Sequence, residues 1–432
     1  MRAGSTARST LIADASAPAA DSLPIIRFLV YLSIILDVNE DRVMSKAFRM
    51  AERIQQDVIL GRVRPGEVLG SEHDLRVRFA VGRETLREAI AILEMRGLGR
   101  MRRGRRGGFV IGIPDVSLVA RSFSGHALLM GTTAPQLAQA REILERIAAP
   151  EVPADSPPTG RKCASDHTKV IVDALAHGLS TLQEHFRGDK KSYLPRAPTQ
   201  RITVGARRAG QIARNIVAQL AQTPLAPGLV RFGSERDLSH RFSISKSIAR
   251  QVVRLLEDLN VARSERGSGH GIFVTPPTVH RPAETIGFYL LTHASTPESS
   301  WEVAQMLRVE GAQLAASHPS NVREPVCGEV STLLQQLSDG SRPRDLEALF
   351  LIDRAVESTS DNPLLTLILE GLKAYSALAQ PLRDSRLARF VSAHGPRYLE
   401  LTHEALAAIK RGDPQAAGQA QRHMNRFFTD HV

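Results

Sequence analysis

From residue 51 onward the chain alternates short amphipathic segments with turn signals before settling into long helical periodicity. In AERIQQDVI, Ile54, Val58 and Ile59 fall on one side of a 3.6-residue repeat, which predicts a helix. Pro65-Gly66 ends it. Ser71, followed three residues later by Asp74, has the form of an N-cap with an acidic third residue, so a short second helix starts there. Ala80-Val81-Gly82 makes a tight turn. A third helix follows, with Leu86, Ala89, Ile90 and Leu93 on its inner face. Two short strands then flank the glycine-rich basic loop RRGRRGG, Arg102 to Gly108. Two helices joined by a short turn, then a β-hairpin, predict a winged helix-turn-helix.

The same grammar returns later. Ser71, Glu72, Asp74 and Leu75 recur as Ser234, Glu235, Asp237 and Leu238, at an offset of 163 residues. At that offset Phe79 meets Phe242, Arg87 meets Arg250, and Leu93-Glu94 meets Leu256-Glu257. The Pro65-Gly66 turn meets Pro227-Gly228 with a one-residue slip. A repeat of this period marks a duplicated structural unit.

Between and after the copies the pattern changes. Residues 114–149 read as helix, PEVPADSPPTGRK as a Pro-rich linker, and HTKVIVDALAHGLSTLQEHF as another helix. RGDKKSYLPRAPTQR and TPPTVHRP read as further linkers. From Ala283 to the end helical periodicity is continuous, which predicts an all-α bundle. The chain is therefore expected to be mainly α, with two winged helix-turn-helix domains at 44–112 and 196–275. A helical segment with linkers occupies 113–195, and a helical domain occupies 276–432. Residues 1–43 read as an extension outside these domains, or as a start assigned upstream of Met44. LPIIRFLVYLSIILDV within them is apolar but short and interrupted by Arg27, below the ~18 residues of a membrane span. It is followed by no signal-peptide cleavage site.

Charge sharpens this division. The chain carries a formal +11, yet residues 44–112 and 201–275 each carry +7, so the remainder is slightly acidic at −3. A surplus confined to the two repeats points to a polyanion, and DNA makes two demands on such a surface. Lys and Arg must neutralise phosphates, and side chains near the start of a recognition helix must reach base edges. Arg83 and Arg87 share the face of the third helix opposite Leu86, Ala89 and Leu93, and Lys246 and Arg250 repeat the arrangement. Arg105 and Arg106 in the loop can reach phosphate or the minor groove. A solvated helix face explains any one of these cations equally well. It does not explain the repeat, the glycine-rich basic loop and the confinement of charge together. For the second copy, whose loop GSGHG lacks arginine, a unit kept for packing or dimerisation is the competing reading. Two distant cysteines, Cys163 and Cys327, offer neither metal spacing nor a disulfide framework. No catalytic constellation or phosphate-loop pattern stands out, so an enzyme is not expected.

The stretch PGEVLGSEHDLRVRFAVGRETLREAIAILEMRGLGRMRRGRRGGFV resembles the DNA-binding domain of the GntR superfamily of bacterial transcription factors. The helical C-terminal half resembles the FCD effector domain of its FadR-like branch, and QAREILERIAA resembles the opening helix of such a domain. The resemblance covers most of the chain after Met44 and implies a duplicated unit whose first effector domain is cut short. It implies DNA contacts from His73, Gly82, Arg83, Thr85, Arg87 and Arg105, and in the second copy from Arg236, Ser245, Lys246 and Arg250. His73 departs from the family's usual Arg, which Arg236 retains.

FCD domains often bind a divalent metal through Asp-x-x-x-His and two later histidines. Here the expected Asp position is Leu349 and the expected His position is Asp353. His403 and His423 each fall one residue, or ~100° of helix, from the expected place. Asp353, His403 and His423 either form a rearranged metal site or are ordinary polar residues left after its loss. Arg141 stands where an effector-contacting Arg often lies, while its counterpart in the full domain is Ala304. The resemblance thus implies a cytoplasmic, nucleoid-associated bacterial regulator, a repressor by expectation. It would dimerise on a double-stranded operator and respond to a small molecule, with a carboxylate metabolite as the expected class. The alternative is a constitutive or architectural DNA-binding protein whose helical domain only dimerises.

Overall fold

The computed structural model describes residues 46–59, 64–102, 104, 107–148, 166–186, 204–221, 230–258, 261–265, 271–274, 279–293, 296–339, 346–379 and 384–432. The 1–43 extension, the Pro-rich linker, the polar linker, the Pro227-Gly228 turn, and the loop residues Arg105 and Arg106 lie outside them.

The first unit runs α1 (Lys46–Ile59), β1 (Val68–Gly70), α2 (Glu72–Arg78), α3 (Arg83–Met95), β2 (Gly99–Arg102) and β3 (Gly108–Ile111). The capping box is formed: the Ser71 side chain accepts from the Asp74 amide, and Asp74 accepts from the Ser71 amide at 2.9 Å. The Ser71 hydroxyl, donating to the Asp74 carboxylate at 2.7 Å, and then the Ser71 amide hold that carboxyl below its usual pKa. The turn to α3 passes through Ala80 in the left-handed region at φ +49°. Ile54, Leu75, Leu86, Leu93 and Phe109 close one core. The short β1 has no counterpart in the sequence pattern. It joins the hairpin as a third, antiparallel strand, in the order β1-β3-β2, with an irregularity between Val68 and Gly70.

A second set of elements repeats this order: α7 (Val204–Ala221), β4 (Val230–Gly233), α8 (Glu235–Arg241), α9 (Lys246–Asp258), β5 (Ala262–Glu265) and β6 (Gly271–Val274). Its sheet order β4-β6-β5 corresponds to that of the first. Its capping box is Ser234 with Asp237, and Ser243 takes the +49° turn position of Ala80. The equivalence is therefore one of backbone geometry as well as of letters.

The helices between and after these units form a joint body. They are α4 (Val116–Leu129), α5 (Ala134–Ala148), α6 (Asp166–Phe186), α10 (His280–Thr292), α11 (Pro297–Ser317), α12 (Ser320–Ser338), α13 (Leu346–Ser358), α14 (Pro363–Ala379), α15 (Asp384–Arg411) and α16 (Pro414–His431). Residues 114–149, expected as one helical stretch, are two helices broken at Gly131, where φ is +65°. The last residues of TPPTVHRP, expected in a linker, already belong to α10, because Pro282 falls in its first turn, where no intrahelical N–H is required.

Helices α4 and α5 correspond to α10 and α11 at the same 163-residue offset. One core joins Phe123 and Leu144 of the first pair to Ile286 and Leu307 of the second, together with Leu175 of α6 and Ile368 of α14. A shared detail ties α6 to α14. A Cβ added at Gly178 would sit 3.0 Å from the Phe123 ring, and one added at Gly371 would sit 2.7 Å from Ile286. Phe123 and Ile286 are themselves repeat equivalents. In each half a glycine lets the same residue of the preceding pair approach the helix backbone.

Two stability effects follow. Gly371→Ala gains helix propensity, but its methyl meets three Ile286 atoms at under 3.0 Å, one of them the Cβ next to the backbone, so the helices must part. A net loss of about 1–3 kcal/mol is expected in urea denaturation. Gly328→Ala, on an open face of α12 where an added Cβ meets nothing, is expected to gain about 0.5–1 kcal/mol.

His126 is buried in α4, and burial pushes its pKa down to about 4. The unfolded chain then binds the proton more readily than the folded one between about pH 6.5 and 4. Stability falls as pH drops through that window. Lowering the pH from 7 to 5 is expected to cost about 2 kcal/mol at this group, and His126→Phe should flatten that part of the melting-temperature profile.

Candidate nucleic-acid interface

Leu86, Ala89 and Leu93 fix α3 against the first core, so its other face is turned out with Arg83 and Arg87 exposed. Arg83 starts the helix and lies 3.5 Å from Glu72, a pairing between exposed groups that water screens. Gly82 is the N-cap and makes no side-chain cap bond. A Cβ there would meet nothing and its φ is −71°, so neither packing nor backbone geometry requires glycine. Its small size leaves the first amides of α3 open to an anion approaching from outside. Thr85 is half-buried and His73 exposed on the same unit. Arg100 and Arg102 alternate outward along β2, which leads toward the basic loop. The amide of Gly107 donates to the Gly104 carbonyl at 2.8 Å, which tightens the turn.

Glu94 is a residue whose role the sequence did not disclose. It accepts from the Met101 amide at 3.1 Å and so ties α3 to the first strand of the hairpin. Its equivalent Glu257 accepts from Ser264 at 3.0 Å. Burial raises the Glu94 pKa and the backbone bond pulls it partly back. The signal was present in the Leu-Glu pair that both copies share.

In the second unit Arg236, Ser245 and Lys246 are exposed. Arg250, expected to point outward as Arg87 does, is half-buried and engaged. Its guanidinium lies 3.0 Å from Glu84 of α3 and 3.8 Å from Glu235. One turn further, Arg254 lies 3.5 Å from Glu88 of α3 and also pairs with Glu257. The Arg254 Nε makes no proper hydrogen bond, so its link to Glu88 is an ion pair through space. Burial pushes the Glu88 carboxyl up, and Arg254 and Arg250 pull it only part of the way back. For Arg254 burial opposes the charge, but Glu257 and Glu88 outweigh it and its pKa is raised. Helices α3 and α9 are thus packed against each other.

The suspected metal residues are not brought together. His403 and His423 are exposed, because a one-residue displacement turns each off the inner face of its helix. Asp353 is held instead by Arg308 at 3.1 Å and by the Tyr398 hydroxyl at 2.7 Å. Glu357 takes the other side of Arg308 at 2.9 Å and Lys373 at 2.6 Å. The two carboxylates a cation would need are neutralised by side chains of the chain itself. Among the described residues no cluster of His, Cys, Asp or Glu has the arrangement of a metal site. The cavity beside Arg308, lined also by Asp353, Glu357 and Gln421, measures about 20 Å³. That is room for one water, whereas a metabolite pocket measures several hundred Å³. Arg141 does not reach this cavity, since it bonds Glu145 and Gln183 between α5 and α6. Among the described residues no helix is long and apolar enough to cross a membrane.

Comparison with known proteins bears on the first unit. Residues 46–110 match the family of bacterial regulatory proteins described as the gntR family. A protein of Mycobacterium gastri named as a putative HTH-type transcriptional regulator, RmpR, is 42% identical over 73 residues, which is 17% of this chain and 27% of that one. The chain therefore matches only about a quarter of that relative's length. Among solved structures, Streptococcus agalactiae GntR aligns over 53% of this chain and all of its own, at 16% identity and a TM-score of 0.39. Escherichia coli McbR/YncC aligns over 52% of this chain and 95% of its own, at 19% identity and a TM-score of 0.24. With the helix, turn, helix and hairpin in place, residues 46–110 form a GntR-family helix-turn-helix domain.

Proposed function

We propose that the chain is a sequence-specific, double-stranded-DNA-binding transcriptional regulator of the GntR type, a repressor by mode of action. The observation that carries it is the pair Arg83 and Arg87, exposed on a helix whose opposite face is locked in the core of a family-matched domain. In this reading Gly82, Arg83, Thr85 and Arg87 meet the major groove, with His73 beside them, while Arg105 and Arg106 grip phosphate or the minor groove. The second unit is a second winged head, and Arg236, Ser245 and Lys246 are its contacts. Arg250 acts there by holding α9 to α3 rather than by free contact with a base. The helical body from α10 onward is the FCD-like domain, and α4 to α6 are its shortened copy.

The place of a small-molecule effector is the point on which two readings divide. A metabolite acting through the cavity beside Arg308 must open it and displace part of the Arg308–Asp353–Glu357 cluster. The ion cluster that fills this space favours the second reading, in which the bundle joins the heads and does not sense a ligand. A thermal-shift screen with metabolite carboxylates separates them. A compound that raises the melting temperature and alters operator affinity supports ligand control, and a flat response across the set supports the scaffold.

The DNA contact itself has a direct test. Arg83→Ala with Arg87→Ala is expected to weaken binding to a selected duplex by at least about 30-fold, taking ~1 kcal/mol as the lower worth of each contact. Arg354→Ala, on the exposed side of α13, should leave affinity unchanged. Fluorescence anisotropy at fixed salt gives both numbers, and equal affinities for all three proteins would remove α3 as the reader.

A further inference from the structure

We infer that one chain reads one asymmetric DNA site: its two heads are a matched, unlike pair that recognises two different, adjoining half-sites without a second copy. This rests on the DNA-binding function proposed above and specifies the class of DNA.

The first support is the direction of the charges between α3 and α9. Glu84 pairs with Arg250 and Glu88 with Arg254. The 163-residue repeat converts Glu84 to Ser247, Glu88 to Gln251, Arg250 to Arg87 and Arg254 to Ala91. The symmetry-related partners of the two ion pairs are therefore Arg87 with Ser247 and Ala91 with Gln251, and neither is an ion pair. In these cross-unit pairs the acids come from the first unit and the bases from the second. Two first units packed in this way would keep Glu84 opposite Arg87 but leave the half-buried Glu88 facing Ala91. Two second units would leave Arg254 facing Gln251. Each like pairing strands a charge that burial has partly stripped of water, which disfavours it against the unlike pairing found within the chain.

The second support comes from the body. Helices α4, α5 and α6 stand in one core against α10, α11 and α14, with matching glycine contacts at Gly178 and Gly371. The surface that brings the two heads together is supplied by α4, α5 and α6 of the same chain.

The third support is the difference between the readers. Arg83 corresponds to Lys246, Thr85 to Ile248, His73 to Arg236 and Gly82 to Ser245. Arg87 is exposed, while its counterpart Arg250 is held by two carboxylates. Identical readers related by a twofold axis select palindromes. These readers present different side chains at four of the five positions and a differently engaged arginine at the fifth, so they select different half-sites. Spacing follows as well. Glu84 is the second residue of α3 and Arg250 the fifth of α9, and they touch at 3.0 Å. The starts of both helices lie side by side, so the half-sites adjoin and are not a full helical turn of ~34 Å apart.

The test uses the full chain and a random duplex pool. After selection, the bound sequence is determined and the mass of the complex is measured in solution. The expected result is a compact non-palindromic motif carrying one chain per duplex. Replacing either half by the inverted repeat of the other should weaken binding at least tenfold. Glu88→Ala, outside the DNA-facing set, should weaken the composite site about tenfold and leave an isolated first half-site unchanged. A palindromic motif with two chains per duplex would overturn the inference while leaving DNA reading intact. Failure to enrich any motif would instead remove the proposed function, and this inference with it.

Discussion

The close approach of helix pairs at Gly178 and Gly371 is the constraint on which the rest of the architecture depends. At each place Phe123 or Ile286 comes within contact distance of a helix backbone that carries no side chain. The contacts draw α4 onto α6 and α10 onto α14, and all four helices contribute side chains to one core. With that core closed, the winged units that precede α4 and α10 in sequence are brought within reach of each other. The ion pairs between α3 and α9 then fix their relative placement. Packing in the body and electrostatics at the heads are two layers of one arrangement.

The local parts of this arrangement were legible in the sequence. Ser71 with Asp74 announced a capping box, Leu86, Ala89 and Leu93 announced the buried face of α3, and the 163-residue offset announced a second unit with the same turn and cap. Each depends on residues within a few positions of one another. Strand β1 was not legible, because three residues show no alternation and its partner β3 lies about forty residues away. The engagement of Arg250 was hidden for the same reason: its partner Glu84 lies in the other repeat. Read alone, Arg250 looked like Arg87.

The bundle shows how one residue of displacement alters chemistry. His403 and His423 were candidates because they fell near expected positions, but a shift of one residue turns a helical side chain outward. Arg308 and Lys373 supply positive charge to Asp353, Glu357 and Glu370 from within the chain. Burial of Arg308 opposes its charge, yet the adjacent carboxylates outweigh that cost and its pKa is raised. Such a cluster is held by mutual neutralisation and has no need of an added ion.

In the arrangement proposed, a single chain presents two unlike heads, already paired, to DNA. Hydroxyl-radical footprinting of the full-length protein on its selected duplex tests this most directly. The expected result is one continuous protected region shorter than two helical turns, with unequal protection on its two sides. Two equal protected regions related by a dyad would contradict it.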